Sequence, residues 1–98
     1  MSHEEGVLRT VRVRISGEVQ GVGYRAWTER NARVLGLSGW VRNTRDGAVE
    51  ALFSGAALCV SEMLRRCHDG PLSAVVREVA IVEEGGAAPS GFRVLSTA

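Results

Sequence analysis

No lysine occurs anywhere in the 98 residues. That removes Schiff-base and amine-nucleophile chemistry, and it removes the Walker-type phosphate loop, which needs a lysine after its last glycine. Only two histidines are present, His3 and His68, so there is no cluster to hold a metal. The two cysteines, Cys59 and Cys67, fit a reduced cytoplasmic protein better than a disulfide scaffold. No apolar run approaches the roughly 20 residues of a membrane span. The polar start Met1-Ser2-His3-Glu4-Glu5-Gly6 lacks both the positive and the apolar regions of a signal peptide, so the expected location is cytoplasmic. Neither sign of charge dominates: 12 basic residues against 11 acidic ones leave a net charge of +1. No strong field therefore draws the chain to nucleic acid or to an anionic membrane. Any anion it binds must be gripped locally.

Glycine, in contrast, is plentiful, with 12 residues. Three of them lie in the stretch Ser16-Gly17-Glu18-Val19-Gln20-Gly21-Val22-Gly23-Tyr24-Arg25, where strand alternation stops at Gly17 and helical spacing begins near Tyr24. Glycine permits positive φ and close backbone approach. Successive exposed N–H groups form an anion-sized nest, and a helix N-terminus adds about half a positive charge. Arg25 supplies a planar fork of donors suited to phosphate oxygens.

Around this turn the pattern is regular. Val11-Arg12-Val13-Arg14-Ile15 alternates with period two and predicts a half-buried strand showing arginines to its other face. Tyr24, Trp27, Thr28, Asn31, Ala32 and Leu35 recur at helical spacing up to Gly36, a helix stop. A second strand runs from Leu37 to Asn43, and Asp46-Gly47 signals a hairpin to a third over Val49, Ala51 and Phe53, ended by Ser54-Gly55. A second amphipathic helix spans Ala56 to Asp69 and is closed by Gly70-Pro71. A fourth strand over Val75–Glu83 changes apolar phase along its length, which suggests a bulge or a later true start. After a glycine-rich loop, Phe92–Leu95 reads as a short last strand, and residues 1–7 as a flexible tail. The order predicts one α+β domain over residues 1–98: a ferredoxin-like split βαβ sandwich with two helices on one face of an antiparallel four- to five-stranded sheet.

The chain resembles the acylphosphatases. The resemblance rests on Gly17-x-Val19-Gln20-Gly21-Val22-x-Tyr24-Arg25, on Gly36-Leu37-x-Gly39-Trp40-Val41-x-Asn43, and on Asp46-Gly47-x-Val49-Glu50. Beyond Gly55 it is one of pattern only. It implies hydrolysis of the carboxyl-phosphate bond of acyl phosphates to carboxylate and inorganic phosphate, without metal or cofactor. It also implies phosphate binding by Arg25 and by the backbone of Glu18, Val19, Gln20, Gly21, Val22, Gly23 and Tyr24, with water oriented by Asn43. The implied partner is a small acyl phosphate, with no nucleic acid or membrane, and the expected state is a monomer.

Other readings compete. A non-catalytic phosphate- or carbamoyl-phosphate-binding module would keep the same loop. A nucleic-acid-binding sheet would need exposed aromatics on its central strands, where this chain has Arg12 and Arg14. Cys59 and Arg65 have the spacing of a cysteine phosphatase loop, but the residues between them read as a turn of helix. Cys67 reads as a core residue and His68 as a polar residue at a helix end. Trp40 belongs either under the active loop or in the core. Gln20 is either a specificity contact or a loop-stabilising amide, and Thr44 either anchors Asn43 or starts the turn.

Overall fold

The period-two run lies in the first strand, β1 (Leu8–Glu18), with Val11, Val13 and Ile15 fully buried. The computed structural model describes residues 7–98; the tail expected over residues 1–7 lies, but for Val7, outside the described residues. After β1 come α1 (Tyr24–Val34), β2 (Ser38–Asn43), β3 (Val49–Ala56), α2 (Ala57–Asp69), β4 (Val75–Glu84) and β5 (Phe92–Val94). The sheet order is β4-β1-β3-β2-β5, so β3 lies between β1 and β2, the two strands that α1 connects. This is the ferredoxin-like α+β arrangement.

Local chemistry explains the boundaries. Gly36, at φ 69°, follows α1, and the N–H groups of Gly36 and Leu37 return to the carbonyls of Arg33 and Ala32 in a Schellman-type closure. Gly70, at φ 66°, ends α2 with its N–H on the Arg66 carbonyl. Beside it, the buried Tyr24 hydroxyl donates to the Cys67 carbonyl at 2.7 Å. A Cβ on Gly70 would come within 2.7 Å of the Tyr24 ring, so that contact requires glycine.

The core is shared between the helix-facing side of the sheet and both helices. Val11, Val13, Ile15, Ala51 and Phe53 meet Tyr24, Thr28 and Ala32 of α1 and Val60, Met63 and Cys67 of α2. Each large side chain buried in this way contributes about 1.5–3 kcal/mol.

The apolar phase change in the fourth strand corresponds to two register shifts between β1 and β4, at Arg12/Val13 and at Ser16/Gly17. At the second, a Cβ on Gly17 would sit 2.1 Å from the Val75 carbonyl oxygen, so glycine alone fits. The sheet departs from the expected antiparallel pattern in one place: β5 pairs with β2 in parallel, making the sheet mixed. From β4 the chain must cross to the opposite edge, four inter-strand spacings or about 19 Å away, which the connecting residues 85–91 cover only when nearly extended. Phe92 anchors the arrival, stacked on Phe53 with ring centroids 5.9 Å apart.

Candidate active site

The turn between β1 and α1 is built to leave donors free. Gly21 and Gly23 have φ of 75° and 79°, and a Cβ on either would meet nothing within 4 Å. Glycine is needed there for backbone conformation, not for space. Among the described residues, none of the main-chain N–H groups at 20–23 donates to another main-chain carbonyl. The first helical bond of α1 runs from Trp27 N–H to the Gly23 carbonyl, so the N–H groups of Tyr24, Arg25 and Ala26 stand at the helix end without helical acceptors. No acidic residue lies in the first turn of α1 and no side chain caps it, leaving the helix end positive.

These donors border a cavity of about 310 Å³, at the small end of ligand pockets. Val19, Gly21, Gly23, Tyr24 and Arg25 line it from the turn, and Asn43 lines it from the end of β2. Split βαβ topology causes this convergence: β1 and β2 run parallel with β3 between them, so the turn after β1 and the last residue of β2 reach the same end of the sheet. Arg25 is half-buried, and its Nη1 donates at 3.4 Å to the Leu95 carbonyl. The main-chain carbonyl of Asn43 accepts the Ala98 N–H at 3.0 Å.

Three residues of the expected loop, Glu18, Gln20 and Val22, do not line the cavity. Glu18 is the last residue of β1, opposite Val75, and its carboxylate turns away to Arg77 at 3.2 Å. Val22 packs partly buried against the core. The Gln20 side chain is a clamp: its Nε2 donates to the carbonyls of Thr44 and Ala48, 2.7 Å each. The glycine turn is thereby tied to the loop that directly follows Asn43.

That loop is itself braced. The Thr44 N–H donates to the Ala48 carbonyl, the Gly47 N–H returns to the Thr44 carbonyl, and Gly47 has φ 96°, a three-residue hairpin rather than a two-residue Asp-Gly turn. The Thr44 hydroxyl donates to Asp46, whose carboxylate also receives Arg14 at 2.6 Å. The Arg14 hydrogen bond, seconded by Thr44, lowers the Asp46 pKa to about 2.

Two competing readings meet specific obstacles. The open face of the sheet carries paired arginines: Arg12 and Arg42 both bind Glu50, and Arg42 lies 4.7 Å from the centroid of the Trp40 ring. Trp40 therefore sits neither under the active loop nor in the core. Burial pushes Glu50 up, yet its hydrogen bonds from Arg42 and Arg12 hold it below the usual carboxylate range. Cys59 and Arg65 both lie within α2, away from any cradle, and burial pushes the Cys67 thiol up to about 12, far from a reactive thiolate. Among the described residues, no three His, Cys, Asp or Glu side chains are grouped to hold a metal, and no helix is long and apolar enough to cross a membrane.

Ala26, Glu29 and Val94 also line the cavity and are not among the expected site residues. Helical spacing contained a signal for Glu29, which lies four residues after Arg25 and so on the same side of α1. Nothing local marked Val94.

An acylphosphatase family model matches residues 11–94. An acylphosphatase of Rhodopseudomonas palustris (strain BisB5) is 52% identical over 96 residues, covering 90% of this chain and 96% of the relative. The solved structure of an acylphosphatase from Coxiella burnetii superposes with a TM-score of 0.87 at 33% identity, covering 97% of this chain and all of that one. The acylphosphatase crystal structure from Bacillus subtilis gives a TM-score of 0.82 at 27% identity, covering 91% of this chain and 99% of the other.

Proposed function

This chain belongs to the acylphosphatase family, and we propose that it hydrolyses acyl phosphates using Arg25 and the glycine-loop N–H groups to hold the phosphoryl group and Asn43 to orient the water. One observation supports this assignment above the rest. A half-buried arginine, a turn with unengaged N–H groups and an asparagine line a single small cavity at a helix N-terminus.

In the proposed reaction, water oxygen attacks phosphorus as the phosphorus bond to the carboxylate oxygen breaks. The carboxylate leaves with the bonding electron pair, and the water proton passes to a phosphate oxygen of the substrate. Charge in such a loose transition state is spread over the equatorial phosphoryl oxygens, so positioning and electrostatic stabilisation supply most of the rate. The N–H groups and the Arg25 fork are donors suited to those oxygens. Asn43 is no base at neutral pH; its carboxamide holds the water in line, which removes orientational entropy from the barrier. A carboxylate is a far better leaving group than an alkoxide, so the reaction is proposed to proceed without a metal.

Phosphate release from benzoyl phosphate and acetyl phosphate in the presence of excess chelator tests this reading. Undiminished turnover is expected. Phosphate binding without turnover would replace the enzyme by a non-catalytic module, and turnover abolished by chelator would overturn the metal-free mechanism.

A further inference from the structure

Three residues that line the cavity have no part in the proposed phosphate grip. Ala26 and Glu29 lie one turn apart on α1, and Val94 ends β5. Arg33 ties these elements together, reaching Glu29 at 3.1 Å and the Phe92 carbonyl at 2.8 Å. With the glycine turn and Arg25 assigned to the phosphoryl group on the reading above, Ala26, Glu29 and Val94 are the lining residues left to meet the acyl part. They offer a methyl group, an isopropyl group and one carboxylate, and Glu29 is the one acidic residue lining the cavity among the described residues.

A carboxylate beside an anion site works against the phosphate it accompanies, so its usefulness has to lie elsewhere. We propose that Glu29 selects the acyl part of the substrate, with Ala26 and Val94 accepting small uncharged or cationic acyl groups and the carboxylate turning away acyl groups that carry a second negative charge. This inference rests on the acyl phosphate reading above and adds a substrate class to it. A unit charge about 7 Å from a substrate charge, in surroundings close to water in dielectric, changes affinity about threefold. Arg33 moderates the effect by its proximity and keeps the Glu29 side chain in place along the helix.

The test compares kcat/KM for benzoyl phosphate, 4-carboxybenzoyl phosphate and 4-(aminomethyl)benzoyl phosphate, three substrates on one benzoyl frame with different charge. The parent enzyme is expected to prefer benzoyl over 4-carboxybenzoyl phosphate about threefold, with the preference shrinking at high salt. Glu29→Gln should bring that ratio close to one, whereas Arg33→Gln, which leaves the carboxylate unmoderated, should widen it. A helix-surface ion pair with no role in selection predicts that both variants lose the same pair and that neither changes the ratio. An unchanged ratio in Glu29→Gln, or a shift of both variants in the same direction, overturns the proposal while acyl phosphate hydrolysis stands. Failure of the parent enzyme to turn over any of the three overturns both.

Discussion

Arginines of two kinds meet near the end of this sheet. On the open face, Arg12, Arg14 and Arg42 each bind a carboxylate, on Glu50, Asp46 and Glu50 respectively. At the start of α1, the half-buried Arg25 has no carboxylate within ion-pair distance among the described residues, only the 3.4 Å approach to the Leu95 carbonyl. On the proposed reading, the contrast separates a scaffold charge from a working one. Arginines paired in this way have their charge already answered. A partly desolvated guanidinium without a counter-charge, set among unengaged N–H groups, has its field available to an incoming anion.

Arg25→Ala pushes this comparison hardest. It should lower kcat/KM by about 10²–10³-fold, the value of one strong oxyanion donor, and Arg25→Lys should not restore it because an ammonium lacks the planar fork. Arg12→Ala on the open face should change kcat/KM by less than about threefold; an equal loss in both would dissolve the distinction. Next in size, Asn43→Ala should reduce kcat by at least about tenfold with KM moving much less, since water orientation is not substrate binding. A rise in KM alone would make Asn43 a binding residue.

The Gln20 clamp ranks third. Gln20→Ala strips one donor from two carbonyls of the loop after Asn43 and should lower unfolding free energy in urea by about 1–2 kcal/mol. It should also cut kcat severalfold, less than loss of Arg25 does. Unchanged kcat would mean that the glycine turn holds its shape without the hairpin.

The smallest effect concerns Arg14. Asp46 titrates at about 2 in the fold against an ordinary 3.8. A lowered carboxylate pKa stabilises the folded state above the unfolded value, so this contribution is present above about pH 4 and is lost as pH falls toward 2. Arg14→Gln returns Asp46 toward its ordinary value. The Tm of the variant should therefore fall less steeply over that acid interval than the Tm of the parent, in parallel thermal scans; equal slopes would show that Arg14 does not hold Asp46 down.

How much could be read beforehand varied along the chain for physical reasons. The glycine turn, the stop at Gly36 and the phase change in β4 are local events, governed by backbone conformation and by alternation, and they were legible. So was the convergence of Arg25 with Asn43, because the element order implied the topology. The direction of β5 was not legible: three residues carry almost no pattern, and the parallel pairing follows from where β4 leaves the chain and where Phe92 finds Phe53. The choice for Gln20 was equally open, since an amide in a turn has donors and acceptors for any neighbour. Only the folded hairpin supplied the carbonyls of Thr44 and Ala48.

Sequence alone determined the helices, the strands, the bend that exposes N–H groups and the residue types able to meet a phosphate, because each depends on neighbours a few positions away. Tertiary structure alone decided that the arginine lining the cavity makes no ion pair, that Trp40 lies under Arg42 on the open face, and that Glu29 and Val94 line the cavity too. Those outcomes depend on groups distant in the chain reaching the same few ångströms, and a charge acquires its role from whatever stands beside it there.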